Sequence, residues 1–345
     1  MHLLYGQLKV VLVLALLQEL DVRTQKDIFR KHFNMDLLEC PQCFLGQREQ
    51  CEKFFETIEE PAKFDRLWKD LTLLVDRREI YWLEFKENHQ NVKCLAKRKR
   101  TREISKDLHF NPGGFQMCRD STRFLAYLKE RGHLPATISY YTHHSISPLL
   151  MQELWLMAFP VPRSLAVCGS TLFQAYAGST LSNYLKAPID LRLDMAKQLL
   201  ELALKLSTGF KGFRIYLTDF TTDNFAYNEA TSTVVLIDID TMVLVESNNE
   251  AEGESQLSKK YTPFPGEGFT YDVNAFCLNQ DLDANIYQMC LLLRDQLLPD
   301  VKNLRLKQML NDCVQCEDDK CDIRFKYANN LIDLLFEINN KIEIL

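Results

Sequence analysis

YLTDFTTDNFAYNEATSTVVLIDIDTM, residues 216–242, is the stretch that decides the fold prediction. It places Asp219 and Asn224 five positions apart, with Asp238 fourteen positions further along. Apolar residues on both sides of a polar tip predict a β-hairpin over 225–238. Carboxylates accept protons, and carboxylate and amide oxygens bind divalent cations. The stretch therefore predicts a catalytic and metal-binding hairpin or, as the plainer alternative, a surface hairpin with acidic residues at its ends.

The spacing of these polar residues resembles the catalytic loop and the metal-binding aspartate of protein kinases. The resemblance implies that Asp219 accepts the proton of the attacking hydroxyl, while Asn224 and Asp238 hold Mg²⁺ or Mn²⁺ on the phosphates of ATP. Asp240, which stands where kinases have a glycine, is a further candidate metal ligand. The carboxylates of Asp219, Asp238 and Asp240 would repel one another in one cleft, so they need a cation to offset that repulsion. This requirement favours a metal-dependent nucleotide site.

A kinase also requires a strand lysine and a helical glutamate ahead of its catalytic loop. Lys97 ends the predicted strand VKCLAK and is the candidate for the lysine that binds phosphate, with Lys93 and Lys99 as competitors. Glu153 opens the predicted helix ELWLMAF and is the candidate for its ion-pair partner. The alternatives are an exposed lysine at a strand end and a glutamate that faces solvent.

The segment LFQAYAGSTLSNYL, residues 172–185, resembles the kinase hinge, where backbone groups bind adenine. Ala175 and Ala177 are the candidate cofactor contacts in this segment. An amphipathic helix is predicted next, over 191–207. Lysine, glutamate, hinge, helix, catalytic loop and metal aspartate thus occur in the order found in kinases, which is more specific than any one motif.

Three further motifs support a family-level resemblance: CPQCF at 40–44, LTDFTTDNFA at 217–226 and DANIYQMC at 283–290. With them the chain resembles the divergent protein kinase domain family, especially the subgroup called "deleted in autism". The resemblance implies an α+β, two-lobed protein-kinase-like fold with a small β-rich N-lobe, a mostly helical C-lobe and a cysteine-rich N-terminal extension. It also implies residence in the lumen of the Golgi or endoplasmic reticulum, or secretion, and a structural role for Asp283.

The predicted organisation has four parts: a signal peptide or signal anchor at 1–22, a cysteine-containing extension at 23–63, an N-lobe at 64–177 and a C-lobe at 178–345. The apolar run VVLVLALL in the first part has the length of a signal peptide and is too short to span a bilayer by itself. We therefore expect entry into the secretory pathway, with membrane contact only through an uncleaved N-terminal segment. An ordinary amphipathic helix is the alternative.

Eleven cysteines are many for a cytosolic protein, and six of them fall into two tight groups. A zinc site would require two distant CxxC pairs to meet and would leave one cysteine of each group unused, so disulfides explain the grouping more economically. The groups are Cys40, Cys43 and Cys51, and Cys313, Cys316 and Cys321. The sequence contains no Asn-x-Ser/Thr acceptor, so N-glycosylation adds no support for secretion.

Several residues depart from the kinase pattern. No glycine lies between Gly46 and Gly113, so no glycine-rich loop precedes Lys97 to bring backbone N–H groups over the phosphates. Leu217 and Thr218 replace the His and Arg that precede the catalytic aspartate in kinases. Two functions stay open: a secretory-pathway kinase acting on a protein or glycan hydroxyl, and a pseudokinase that binds a receptor or trafficking partner.

Other classes fit the sequence less well. The formal net charge of −6 and the lack of a long basic run argue against a nucleic-acid binder. The densest basic patch, 97–102, is predicted to be a solvated loop, with a nuclear signal or a phosphate-facing edge as alternatives. An α+β hydrolase would require a Gly-x-Ser-x-Gly or His-Glu-x-x-His motif, and neither occurs.

Apolar periodicity predicts the remaining elements. The predicted helices are 52–76, 115–129, 149–158, 286–298 and 327–345. The predicted strands are 80–85, paired with 92–97, and two further strands within 164–177. A long loop is predicted over 246–270.

Overall fold

The structure is a computed structural model of the chain. It describes residues 25–59, 79–87, 90–98, 116–117, 122–138, 146–239, 242–246, 282–315 and 324–343. The predicted signal segment, almost all of the predicted loop 246–270 and Asp240 lie outside these ranges.

The chain forms two compact units, one built from residues up to 98 together with 166–173, the other from 99–165 together with 174–345. The predicted boundaries of the signal segment, extension and lobes stay predictions. The overall class is the one expected, α+β with a small N-terminal sheet and a mostly helical C-terminal part.

Three helices and most of a five-stranded sheet form the first unit. The strands follow the spatial order β1-β2-β3-β6-β5, and β2 and β3 form the antiparallel hairpin that the sequence predicts. The helices are α1 (Gln25–Glu39), α2 (Pro41–Phe44) and α3 (Arg48–Glu56), and the strands are β1 (Ile58–Glu59), β2 (Glu79–Glu87), β3 (Gln90–Arg98), β5 (Ser164–Cys168) and β6 (Thr171–Ala175).

Aromatic side chains make the core between the helices and the sheet. Phe29 lies on the buried face of α1, and its ring meets Phe173 of β6 edge-on at 5.0 Å. Phe54 of α3 lies 4.8 Å from the same Phe173 ring and 6.2 Å from Phe85 of β2. Each of these rings removes a large apolar area from water, which is the main stabilising contribution to the unit.

The predicted helix over 52–76 is wrong at residues 57–59, and its remainder from residue 60 lies outside the described residues. The helix α3 ends at Glu56, and Ile58 and Glu59 pair as β1 with Phe85 and Glu84 of β2. Ile58 is almost fully buried in that position. Pairing with a strand distant in sequence overrides the helical periodicity, which is a weak local preference.

The second unit contains two three-stranded sheets and most of the helices. The sheets have the spatial orders β10-β9-β7 and β4-β11-β8, and β4 replaces the start of the helix predicted over 115–129. The strands are β4 (Gln116–Met117), β7 (Ser179–Thr180), β8 (Phe213–Leu217), β9 (Phe225–Asn228), β10 (Thr233–Leu236) and β11 (Met242–Glu246). The helices are α4 (Thr122–Glu130), α5 (Ser147–Leu156), α6 (Ile189–Thr208), α7 (Ala284–Leu292), α8 (Leu304–Val314) and α9 (Arg324–Glu343).

Helix α6 is the amphipathic helix predicted over 191–207, and it is slightly longer than predicted. Its fully buried leucines and alanines face the neighbouring helices, and its last turn ends at Gly209, whose positive φ of 74° is accessible to glycine without strain. A side chain there would also meet the carbonyl oxygen of Phe213 at 1.8 Å. The glycine therefore lets the chain turn directly from α6 into β8.

Disulfides, as predicted, account for the described cysteines that lie in the two groups. Cys40 pairs with Cys43, and the longer-range bridges are Cys51–Cys168 and Cys290–Cys313. These bonds occupy both cysteines of the first CxxC and Cys313 of the second, so none of these three cysteines is a thiolate ligand for the alternative zinc site. Cys94 is buried and remains a thiol, and burial raises its pKa to about 12.

No described helix is both long and apolar enough to cross a membrane.

Candidate functional site

The strand that leads to Asp219 is held by a buried helix. Asn285, fully buried on α7, accepts a hydrogen bond from the Leu217 backbone N–H at 3.0 Å through Oδ1 and donates to the Ile215 carbonyl at 2.7 Å through Nδ2. Gln288, one turn further on, donates to the Leu217 carbonyl at 3.3 Å. The end of β8 is therefore fixed immediately before Thr218 and the half-buried Asp219.

Substituting Asn285 with Leu should destabilise this anchor by about 2 kcal/mol, because the buried N–H of Leu217 and carbonyl of Ile215 would lose their partners. Chemical denaturation gives the free energy of unfolding directly. Asn329→Leu on the exposed face of α9 is the matched control and should change that free energy little. An equal effect of the two substitutions would contradict the anchoring role.

Asn224 is tied to the loop that carries Asp219. It ends a 3₁₀ turn, Thr222–Asn224, and is buried. Its Nδ2 donates to the backbone carbonyl of Asp219 at 3.0 Å, so the side-chain oxygen Oδ1 points away from that carbonyl. An amide whose nitrogen is fixed in this way presents a defined oxygen, which is the atom that binds a cation.

The hairpin register brings Asp238 to the same end as Asn224. Phe225 of β9 lies opposite Leu236 of β10, and the next step of the ladder is the hydrogen bond from the Ile237 N–H to the Asn224 carbonyl at 2.9 Å. Asp238 follows directly and is half-buried. The predicted hairpin is confirmed, and its antiparallel pairing is the reason that two residues fourteen positions apart meet at one end.

These residues suit a magnesium or manganese ion. Carboxylate and amide oxygens are the donors that Mg²⁺ prefers, and Mg²⁺ commonly takes one or two protein groups together with substrate phosphates. Among the described residues, no group of three or more His, Cys, Asp or Glu side chains comes together as a cage. Asn224 and Asp238 are the described residues that could hold such an ion, and Asp240 stays a predicted ligand outside the described residues.

The hinge candidates Ala175 and Ala177 lie in the same unit as the hairpin, and Ala177 packs against it. Ala177 forms a buried cluster with Ala226 of β9 and Val235 of β10. Gly178 has a φ of 111°, and a Cβ there would lie 1.8 Å from the Tyr227 carbonyl oxygen. The residue after Ala177 must therefore be glycine for this close approach, a requirement that the sequence analysis missed.

Ala175 is held where β6 ends. Its N–H donates to the carbonyl of Arg163 at 2.9 Å, so this N–H is already used inside the protein. The roles of Ala175 and Ala177 as adenine contacts stay predictions.

Lys97 and Glu153 belong to different units. Lys97 lies near the end of β3 and is half-buried. Its predicted ion pair with Glu153 stays a prediction.

Glu153 is almost fully buried on α5 and has two partners in its own unit. Its Oε2 accepts hydrogen bonds from the Tyr127 hydroxyl at 2.6 Å and from Arg131 Nε at 3.0 Å. Burial raises the pKa of Tyr127, and the hydrogen bond to Glu153 raises it further. The plain alternative of a solvent-facing glutamate is therefore wrong, because the carboxylate is buried and paired with these groups.

Comparisons with known proteins agree with this geometry. Residues 140–322, more than half of the chain, match the family model described as "Protein-kinase domain of FAM69". This range includes α5, the hinge candidates, the catalytic-loop residues and the hairpin.

Similar relatives all carry the name "Divergent protein kinase domain 2A". The Xenopus tropicalis protein is 26% identical over 237 residues, which cover 61% of this chain and 53% of the relative. The human and mouse proteins are each 25% identical over 310 residues, which cover 81% of this chain and 66% of the relative. The chain thus spans between about half and two thirds of the length of these curated relatives.

Proposed function

The chain belongs to the family of FAM69 protein-kinase domains, and on that premise we propose that it binds ATP with Mg²⁺ or Mn²⁺ and transfers the γ-phosphoryl group to a protein or glycan hydroxyl. The observation that carries the proposal is the single end of the β9–β10 hairpin at which Asn224 and Asp238 meet, with Asn224 bonded to the backbone of Asp219. These three residues supply a base and two metal ligands from one connected piece of backbone.

In the proposed reaction Asp219 accepts the proton of the acceptor hydroxyl. The acceptor oxygen forms a bond to the γ-phosphorus, the bond from that phosphorus to the bridging oxygen breaks, and ADP leaves. Asn224 and Asp238 would hold the metal ion, which neutralises charge on the phosphate oxygens when bound. Lys97 would bind the phosphates, and Ala175 and Ala177 would bind the adenine through their backbone.

We also propose that the protein works in the secretory pathway or outside the cell. Three disulfides among the described cysteines support this, because such bonds persist in oxidising compartments and are rare in the cytosol. The bridge between Cys51 and Cys168 links residues 117 positions apart, which indicates that the disulfides form part of the folded architecture.

A pseudokinase that binds a receptor or trafficking partner is the second candidate. Two observations favour it: the sequence has no glycine-rich loop ahead of Lys97, and Glu153 is bonded to Tyr127 and Arg131. A kinase glutamate in that position pairs with the phosphate lysine instead. The two candidates differ in whether nucleotide binds with metal.

A thermal-shift titration separates them. At ATP concentrations about 100 times the dissociation constant, binding should add about 2.7 kcal/mol to the stability of the wild type, and only when Mg²⁺ or Mn²⁺ is present. Asp238→Ala should abolish the metal-dependent shift because it removes the carboxylate ligand at the hairpin end. Asp333→Ala, on the exposed face of α9, should retain it.

The outcomes of this titration are distinct. An equal shift for wild type and Asp238→Ala would remove Asp238 from the metal site while leaving nucleotide binding in place. No shift of the wild type at millimolar ATP would overturn the nucleotide proposal and favour the pseudokinase.

A further inference from the structure

The disulfide of the CPQC motif differs from the other two described disulfides in its exposure. Cys51–Cys168 and Cys290–Cys313 lie in the interior, and none of their four cysteines is more than 2% exposed. Cys43 is buried as well, but its partner Cys40 is only half-buried and therefore reaches the surface. Exposed disulfides are the ones that exchange with other thiols, whereas interior disulfides resist reduction.

The local backbone explains why one cysteine of the motif is outside and the other inside. Cys40 follows the last turn of α1, and its N–H donates to the Asp36 carbonyl at 2.9 Å. Cys43 lies in α2, and its N–H donates to the Cys40 carbonyl at 3.0 Å. Phe44, the next residue, is fully buried and holds this end of the motif in the core, while Pro41 is exposed. An external thiolate therefore reaches the Sγ of Cys40 first.

The folded protein depends least on this disulfide. Cys40 and Cys43 are 3 positions apart in the sequence, against 117 positions for Cys51–Cys168 and 23 for Cys290–Cys313. A disulfide stabilises the fold mainly by restricting the unfolded chain, and this restriction grows with the length of the closed loop. The protein can therefore lose and regain the short disulfide while it stays folded.

Exposed apolar side chains flank the motif on both sides. Leu38 is 83% exposed and stands two residues before Cys40, and Leu45 is 64% exposed and stands two residues after Cys43. Consecutive Cα atoms are about 3.8 Å apart, so each leucine starts within about 8 Å of a cysteine of the motif. Met35, one turn of α1 before Leu38, is also half exposed. Apolar side chains left in water beside a disulfide that thiols can reach suit a partner that is apolar and carries thiols.

We propose that Cys40–Cys43 is a thiol–disulfide exchange site that oxidises a pair of thiols in an apolar, unfolded polypeptide. A thiolate of the polypeptide attacks the Sγ of Cys40, the Cys40–Cys43 bond breaks, and its electron pair leaves on the sulfur of Cys43, which takes a proton from water. The second thiol of the polypeptide gives its proton to water and attacks the polypeptide sulfur of this mixed disulfide, which releases Cys40 as a thiolate.

The exchange balances without a further reactant. The polypeptide loses two electrons and gains a disulfide, and the two cysteines of the motif gain the two electrons and are reduced. Glutathione disulfide can restore the Cys40–Cys43 bond by the same chemistry in an oxidising compartment. This activity is separate from the proposed phosphoryl transfer and does not depend on it.

The first measurement needs no substitution. The full chain is equilibrated with increasing ratios of reduced to oxidised glutathione, free thiols are alkylated, and peptide mapping gives the reduced fraction of each disulfide. We expect Cys40–Cys43 to open at a ratio about 100-fold lower than Cys51–Cys168 and Cys290–Cys313, because it is the exposed disulfide and closes the shortest loop. A Cys40–Cys43 bond that survives until the interior disulfides open would overturn the proposal.

The order of attack is tested by two matched variants that lose the same disulfide. Cys43→Ser keeps the thiol at Cys40, and Cys40→Ser keeps the thiol at Cys43. When each is offered a leucine-rich peptide disulfide, Cys43→Ser should form the mixed disulfide about tenfold faster, because Cys40 reaches the surface and Cys43 is buried. Equal rates would overturn the assignment of Cys40 as the sulfur that is attacked.

The apolar contact is tested by the rate at which the oxidised protein forms a disulfide in a short leucine-rich peptide with a pair of cysteines. Leu38→Ser and Leu45→Ser should each lower this rate about tenfold and leave the reaction with dithiothreitol unchanged, because dithiothreitol has no apolar side chains to bury. Leu304→Ser is the matched control, since Leu304 is 80% exposed on α8 of the other unit and should have no effect. Equal wild-type rates for this peptide and for one with serine at each leucine would overturn the apolar polypeptide as the substrate.

Discussion

Asp219→Asn should lower phosphoryl transfer by about 10²–10⁴-fold while leaving the affinity for Mg²⁺·ATP unchanged. Asparagine has almost the same size as aspartate but cannot accept the proton of the acceptor hydroxyl. The link from Asp219 to Asn224 runs through the backbone carbonyl of Asp219, so it survives the substitution. The metal ligands therefore keep their positions while the base is lost.

The measurement is ADP release under saturating ATP, paired with a thermal-shift titration of the same preparations. Asp333→Asn makes the same chemical change on the exposed face of α9 and should preserve both readouts. If wild type and Asp219→Asn turned over at the same rate, Asp219 would not be the base and the activity would come from a contaminant. Weaker binding of ATP by Asp219→Asn would instead assign the carboxylate to the metal or phosphate site.

The parts of the site that follow from local sequence were predictable. The hairpin from Phe225 to Asp238 has two apolar runs on either side of a polar tip, and its register decides that Asn224 and Asp238 meet. The β2–β3 hairpin and helix α6 were predictable for the same reason, because a period of 2 or 3.6 residues can be read within one segment.

The parts that depend on contacts distant in sequence were not predictable. Cysteine spacing indicated disulfides but could not pair Cys51 with Cys168, because connectivity is not encoded in spacing. Asn285 lies in an apolar helix, and nothing local indicates that its amide holds β8. The error at β1 has the same origin, since the partner strand is separated from Ile58 by more than twenty residues.

Arg324→Met should destabilise the protein by about 3–5 kcal/mol, the largest stability effect that we expect from a single substitution. Arg324 is 1% exposed, and its Nη1 donates to Asp283 Oδ2 at 2.5 Å. Its Nε donates to the Cys313 carbonyl at 2.6 Å, and its guanidinium lies over the Tyr287 ring. Methionine fills much of the same space but leaves the Asp283 carboxylate buried without its cation. Denaturant unfolding should therefore show a lower midpoint with an unchanged slope.

Arg305→Met is the control, because it makes the same substitution at an exposed arginine. Arg305 is exposed on α8, and its ion pair with Glu337 spans 3.9 Å, so its removal should cost less than about 1 kcal/mol. If both variants lost the same stability, the Arg324 pair would be no more important than a surface pair.

The double variant Asp283→Asn/Arg324→Met tests the physical reason for this loss. The penalty of the single variant comes mainly from an uncompensated charge in a low-dielectric interior, whereas an intact buried pair contributes little net stability because both ions were desolvated to form it. Asparagine keeps the shape of the aspartate but carries no charge, so the double variant should recover most of the stability that Arg324→Met loses. A loss in the double variant equal to the sum of the two single losses would indicate that the hydrogen bond from Arg324 to the Cys313 carbonyl, rather than the charge of Arg324, holds the start of α9 in place. The size of the coupling free energy between Asp283 and Arg324 therefore decides whether this part of the helical unit depends on charge balance or on the hydrogen bonding of the arginine.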